Sequence, residues 1–460
     1  MVGRNAIVVG ASIAGMSAAR VLSDHFDGVT VFERDDLPDL PANRTAVPQG
    51  KHVHLLMARG AAEFEGLFPG ILDDMVSHGV PILENRPDCI SFGAAGHLLG
   101  TQTTLHDEFT AYVPSRSHLE WQIRRRALAI PNVELVRRGI AEPQYEPAEE
   151  RVTGVLLETG DESTAVEADL VVDATGRGTR LPTWLEKWGF GRPAEDTVDV
   201  GIGYATHQVH IPDGLIMEKV VVAGASREKP LGLGMLLYED GNWGVTTFGT
   251  GRVQPPQNFA EICDLADQVL PIHVSTALRA GAPLGEMAFH EYPTSRWRRY
   301  DKMDRFPTGI VPFGDAVVSF NPTFGQGMTM TSIQAGNLRR VLESGDPDIA
   351  GRLSRATVKT TWPVWTMTAI GDLALHNATG DAPWWFKPVG GLFDQLLGAA
   401  ETDPVLAEWF LRRFSLLDSL YMIPSARLVG RTIRHNMGLM LAEKLTSRRS
   451  ARDRDPVPDK

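Results

Sequence analysis

Cysteine is nearly absent: the chain has two, Cys89 and Cys263, in 460 residues. One pair cannot build a disulfide framework, and these two lack the paired spacing of a zinc site, so a reducing, cytoplasmic setting is expected. A basic surplus is missing as well. Lys and Arg number 45 against 57 Asp and Glu, a net charge of -12, which leaves no electrostatic footprint for nucleic acid. Long hydrophobic runs are also lacking. The uncharged stretch Asn5 to Ala19 superficially resembles a secretory leader, but Gly10 and Gly15 interrupt it and it passes into Asp24, Asp27, Glu33 and Arg34. No other stretch reaches the roughly 18 apolar residues of a spanning helix, so no stable membrane insertion is expected. There is no internal repeat, which removes solenoid architectures.

What is present is ordinary globular material, 43% hydrophobic and 22% charged, long enough for two or three units around a large core. From Ala6 the order is a β-branched run (Ile7, Val8, Val9), a glycine turn, an alanine-rich helical stretch to about Ser23 and a second run at Val29 to Phe32. That is βαβ grammar. Asp169 to Val172 and Ile310 to Phe313 repeat the short apolar strand that ends at an acid and glycine, so three pieces of one parallel sheet are spread through the chain.

Between them, Val198 to Gly251 reads differently: Gly201 to His210 and Met235 to Tyr238 alternate, and Glu239-Asp240-Gly241-Asn242 separates the latter from the run Trp243 to Phe248 as a hairpin does. The expected fold is therefore α/β. It comprises a discontinuous Rossmann-like nucleotide-binding domain (1–75, 105–190 and 290–345), an inserted antiparallel-sheet substrate domain (76–104 and 191–289) and a C-terminal helical region (346–445). A disordered tail (446–460) would complete it. In the helical region Asp403 is placed to cap a helix with Pro404 at its first position and Leu406, Phe410, Phe414, Leu417 and Tyr421 following, stopped by Pro424. A second helix from about Ala426 would carry Val429, Ile433, Met437 and Met440 on one side and Arg427, Arg431 and Arg434 on a solvated face. Arg124, Arg125 and Arg126 are likewise read as a solvated helix face.

Three motifs carry chemistry. The first is Gly10-Ala11-Ser12-Ile13-Ala14-Gly15 between strand and helix, with Glu33 and Arg34 closing the next strand. Gly10 permits the turn, Gly15 lets helix and strand approach, and the amides at the helix start are placed to hold a pyrophosphate. Glu33 lies 18 residues beyond Gly15, placed to accept from ribose hydroxyls. Ser12 replaces the usual middle glycine. A hydrolase nucleophile elbow, Gly-x-Ser-x-Gly, fails because position 14 is Ala.

The second motif runs from Ala168 through Asp173-Ala174-Thr175-Gly176-Arg177 to Arg180, where Asp173 and Arg180 could position ribose, phosphate or the turn itself. The third is Gly309 to Ala316 with Gly314-Asp315, followed by Asn321-Pro322-Thr323-Phe324-Gly325-Gln326-Gly327-Met328 and a helix through Ala335. Asp315 suits a polyol hydroxyl, and the amides of Gly325 to Met328 would aim a positive helix end at an anion.

Together the trio resembles the class A flavoprotein monooxygenase family with the glutathione-reductase-type FAD fold, over roughly residues 1 to 345. The resemblance implies FAD held by Gly10, Ser12, Ile13, Ala14, Gly15, Glu33 and Arg34, by Arg44, by Arg116 at the helix start Pro114-Ser115-Arg116-Ser117, by Asp173 and Gly176, and by Asp315, Pro322, Gly325, Gln326, Gly327 and Met328. Val47-Pro48-Gln49-Gly50-Lys51-His52 and the Asn-Pro-x-x-Gly-x-Gly loop look most like the branch of polyether-type polyene epoxidases. The Trp-x-Trp-x-Ile-Pro signature of flavin halogenases is absent, which disfavours halogenation. His52 and His54, near Arg44 and Lys51, have no third ligand pattern beside them, so no metal is expected.

The activity implied is NAD(P)H-dependent epoxidation or hydroxylation of an apolar secondary-metabolite intermediate, such as a polyketide or polyene, by molecular oxygen through a flavin C4a-hydroperoxide. No catalytic side chain is named, because the cofactor does that chemistry. Two alternatives share the same motifs. One is a non-redox cyclase, for example a [4+2] closure of a polyene, with FAD structural; the other is a flavin reductase that saturates a prenyl chain.

Overall fold

The computed structural model describes residues 2–44, 47–83, 89–100, 110–157 and 164–438. Its centre is a five-stranded parallel sheet in the order Ile310–Pro312, Leu170–Asp173, Gly3–Val9, Phe26–Glu33, Val133–Arg137. Strand alternation sorts the apolar residues. Val8, Val31, Val172 and Val311 stand in register and pack one face under the helices Ile13–Leu22, Arg116–Leu128 and Gly327–Glu343. Ile7, Phe32, Val171 and Ile310 point the other way, against Val152, Val155, Leu181 and Trp184. Each such buried side chain stabilises the fold by roughly 1.5–3 kcal/mol against exposure. Val133–Arg137 is a fifth strand beyond those read from the sequence.

The inserted unit is a nine-stranded, mostly antiparallel sheet whose spine is two long strands, Ala194–His210 and Ala282–Arg299, paired along most of their length. The strand Ala282–Arg299 crosses residue 290 without a break and pairs with Val318–Ser319, so sheet and third motif are continuous. The Asp-Gly hairpin is present between Leu231–Leu237 and Trp243–Gly249, with Gly241 at φ +75°. Behind this sheet pack the helices Phe259–Val269 and Ile272–Ala280.

C-terminal helices Ile349–Ala374, Phe386–Ala400 and Pro404–Phe414 close the molecule. Asp403 caps the last of these, its Oδ1 accepting from the amides of Val405 at 3.0 Å and Leu406 at 3.4 Å. That helix stops at Phe414 and does not continue to Pro424. Leu416 adopts φ +59° and turns its side chain into the core at 1% exposure, while Arg412 folds back onto Asp418. A further helix spans 426–438. Met440 and the tail 446–460 lie outside the described residues. No helix among the described residues is long and apolar enough to cross a membrane.

Candidate functional site

All three motifs converge at the carboxyl ends of the parallel strands. Gly10 has φ +100°, and a Cβ on Gly15 would stand 1.8 Å from the Gly10 carbonyl oxygen, so the first turn closes only with glycine at both places. Glu33 accepts from the Ala11 amide at 2.9 Å and the Asp35 amide at 3.1 Å, which brings it to the edge of that turn. Arg34 points to solvent, 76% exposed.

Arg44 is buried. It pairs with Glu120 at 2.7 Å and Glu33 at 3.4 Å, while Arg116 lies 3.7 Å from the same Glu120 and 3.4 Å from the Ser12 hydroxyl. Glu120 also takes Arg124 at 3.9 Å, and Arg124 donates to the Pro38 carbonyl. Arg124 is thus a correction to the sequence reading: it is 6% exposed, and not solvated, because a carboxylate one turn earlier and a carbonyl satisfy it. Arg125 and Arg126 reach Asp74. Lys51 is exposed.

In the second motif Asp173 serves its own loop. Its carboxylate accepts from the Thr175 amide at 3.1 Å, the Thr175 hydroxyl at 2.5 Å and the Thr179 hydroxyl, of the three choices left open by the sequence the one that fixes the turn. Arg180 lies over Trp184 at the surface. Gly176 sits at φ +77°, and a Cβ there, as on Gly178 or Gly327, would meet no heavy atom within 4 Å.

The third motif joins the first where Gly314, at φ +64°, would bring a Cβ within 2.8 Å of the Ala14 Cβ. Among the described residues no group donates to the Asp315 carboxylate. Burial raises its pKa, against the pull of Arg116, Arg177 and Arg298. At the start of the helix Gly327–Glu343 the Gln326 side chain is fully buried with neither amide atom partnered. Pro322 is exposed, Gly325 has φ +67° and Met328 is buried. A buried arginine missed by the sequence reading binds motifs two and three together. Arg298 donates to the Arg177 carbonyl at 2.8 Å and the Ala316 carbonyl at 3.2 Å.

Facing this loop cluster is one side of the inserted sheet. His52 Nδ1 bonds the Thr206 hydroxyl at 2.7 Å, which bonds Thr246 at 2.5 Å, and the His52 ring lies 5.6 Å from Tyr204 and 5.7 Å from His290. Burial drops the His52 pKa to about 4 and that of His54 to about 3, so both are neutral at pH 7. No cluster able to hold a metal occurs among the described residues. A cavity of about 30 Å³ between sheet and loops is lined by Asn43, Lys51, His52, Arg116, Thr206 and Tyr238, among others. A wider open groove of about 350 Å³ at Leu231, Pro255 and Gln268 contains no motif residue.

Protein Rv3254 of Mycobacterium tuberculosis (strain ATCC 25618 / H37Rv) is 63% identical over 463 residues, covering 97% of this chain and 98% of its own length. The chain belongs to the Rv3254 family. Its residues 380–449 match the family described as the Mycobacterium Rv3254 C-terminal domain, so the helical close of the molecule is a family feature. More distantly, kynurenine 3-monooxygenase of Salinispora arenicola is 26% identical, over 70% of this chain and 68% of the relative. Among solved structures the flavin-dependent brominase Bmp2 superposes with a TM-score of 0.63 at 12% identity, over 96% of this chain and 99% of that one. The Diels-Alderase PyrE3 gives 0.60 at 17%, over 90% and 80%. The Rv3254-family chain thus has the FAD-binding fold of flavin-dependent monooxygenases, with an inserted sheet and a helical C-terminal region. These likenesses reach the broad class A group and do not extend to the polyene-epoxidase branch.

Proposed function

We propose that this Rv3254-family chain is an FAD-dependent monooxygenase that uses NAD(P)H and molecular oxygen to place one oxygen atom on a small, weakly polar organic substrate. The balance is substrate, O2, NAD(P)H and a proton giving oxygenated substrate, NAD(P)+ and water. The observation that carries the reading is a set of polar groups at and beside the motif loops without a protein hydrogen-bond partner: the buried Gln326 amide, the buried Arg116 Nε and, half-buried, the Asp315 carboxylate, to which no described residue donates. Buried polar groups are normally satisfied, so the unpartnered Gln326 amide and Arg116 Nε mark where a polar ligand belongs.

The residues fit FAD. Gly10 to Gly15 and Glu33 would take the pyrophosphate and adenosine ribose, Asp315 the ribityl hydroxyls, and Gln326 with the helix start at Gly327 the ring's pyrimidine edge. When bound, FAD supplies the redox and oxygen chemistry. This chain's residues supply orientation and charge. The helix Gly327–Glu343 would present its positive end where negative charge on a reduced ring would lie, and Arg116, 3.4 Å from the Ser12 hydroxyl, would present its charge toward the pyrophosphate. Neutral His52 and the un-ionised Tyr204 contribute polar but uncharged groups on the side facing the loops, which suits a neutral substrate such as a polyketide or polyene intermediate.

A second reading, a cyclase that uses FAD structurally, is favoured by the likeness to the Diels-Alderase. One experiment separates them. Purified protein is mixed with NADPH without oxygen, the flavin colour is followed, and oxygen and candidate substrates are then admitted. Bleaching followed by an oxygenated product supports the monooxygenase; product formed without reductant supports the cyclase; protein that neither carries nor takes up flavin removes both.

A further inference from the structure

The C-terminal helix Ile349–Ala374 carries one carboxylate in an otherwise uncharged run from Thr360 to Leu375, and it is the residue that reaches the third motif. Asp372 is 1% exposed, and its Oδ1 accepts from Asn321 Nδ2 at 2.6 Å. Asn321 is itself fully buried and its other amide atom is also used. Oδ1 accepts from the Thr323 amide at 3.0 Å, the Thr323 hydroxyl at 2.8 Å and the Tyr204 hydroxyl at 3.4 Å. The carboxylate therefore fixes which way the Asn321 amide points, since a flipped amide would set oxygen against oxygen at Asp372 and nitrogen against three donors. One residue earlier, Gly371 lets the Phe324 ring approach: a Cβ there would stand 2.9 Å from it.

We propose that Asp372 is a positioning residue for the cofactor loop: through Asn321 it sets the Pro322–Phe324 turn and thereby the placement of Gly325 to Gly327 against the flavin. The proposal rests on the FAD reading above and adds a residue outside all three motifs. It also gives the C-terminal helical region a part in the site, tying that helix, the loop and the sheet residue Tyr204 at one carboxyl.

The tie is set to respond to pH. Burial lifts the Asp372 carboxyl to about 7, against the hydrogen bond from Asn321 and the nearby Ser295 hydroxyl. Neither Asp372 Oδ2 nor the Ser295 hydroxyl reaches hydrogen-bond geometry, so the Asn321 bond is the one that counts here. Tyr204 is the titratable group that feels Asp372, and Tyr292 acts on Tyr204 in turn; both are held un-ionised by burial. Among the described residues no cation or second carboxylate acts on Asp372. Ionised, it accepts a charge-assisted bond from Asn321; protonated, it holds the loop more weakly.

The test is FAD affinity, read by quenching of flavin fluorescence on titration of the apoprotein between about pH 5.5 and 8.5, for the full chain and for Asp372→Asn and Asp372→Ala, with circular dichroism of each apoprotein as the folding control. Wild type should bind about tenfold tighter above neutrality than below it. Asp372→Asn, which keeps shape but not charge, should be flat across pH at the weaker acid value, and Asp372→Ala weaker by about tenfold throughout. His52 and His54 titrate near 4 and 3, outside this window. Asp372→Asn with wild-type affinity and wild-type pH dependence overturns the proposal, and it decides the matter even if Asp372→Ala does not fold. Wild type that takes up no FAD at any pH overturns the flavin reading itself, a separate result.

Discussion

At Gly15 a single added carbon decides whether the first turn can close. The obstruction is backbone, the Gly10 carbonyl at 1.8 Å, and no side chain can move aside to relieve it. Gly15→Ala should therefore cost more than the roughly 1–3 kcal/mol of ordinary overpacking. A lower urea midpoint together with loss of the flavin-to-protein absorbance ratio is the expected result; a variant that holds flavin normally would show the turn is not where the cofactor sits. Arg298 acts differently. Arg298→Met should leave the partly buried Arg177 carbonyl without its donor and the Ala316 carbonyl with only the long bond from the Tyr300 hydroxyl at 3.5 Å, a loss of about 1–3 kcal/mol, and a denaturation midpoint matching wild type would show that other groups hold the two loops together. Neither Arg298 nor Asp372 was legible in the sequence, because their partners lie 121 and 51 residues away. Glu120 was in reach: it stands four residues from both Arg116 and Arg124 on one helix, the spacing at which side chains meet.

Among elements, the contact that docks the C-terminal helices onto the inserted sheet can be tested by pH. His97, on the short strand His97–Leu98, bonds Glu401 at 2.6 Å and Asp394 at 3.2 Å, and the Gly100 amide donates to the Ala400 carbonyl at 2.9 Å. Partial burial alone would lower the His97 pKa, but the two carboxylates outweigh it and the net shift is upward. A raised folded-state value means the pairing stabilises fully below the unfolded value near 6.5 and is lost as pH climbs through the folded value. The stability gap between wild type and His97→Gln should thus be widest at about pH 6 and narrow toward pH 9, and stay within about 1 kcal/mol because both acids are solvent-exposed. A gap that widens with pH would contradict the assignment. The parallel strands around the motifs were legible because β-branched runs met glycine and an acid. Val133–Arg137 was not, since its two charged residues break the apolar pattern, and the early end of Pro404–Phe414 follows from Leu416 seeking the core, a tertiary effect that periodicity does not carry.

For the whole molecule, FAD binding to the folded state alone should stabilise it by mass action, about 2.7 kcal/mol at a hundredfold excess over Kd. The thermal midpoint should rise steadily with FAD concentration in wild type and stay fixed in Gly15→Ala. A wild-type midpoint indifferent to FAD would count against the site.

The parallel sheet also dictates an order of assembly during synthesis. Its edge strand Ile310–Pro312 pairs with Leu170–Asp173, more than a hundred residues upstream. At a ribosomal pace of about 5–20 residues per second, the earlier strand waits roughly seven to thirty seconds for its neighbour. Throughout that interval Val171 and Val172, buried in the finished protein, have one open flank, and a nascent chain in that state is a substrate for chaperones.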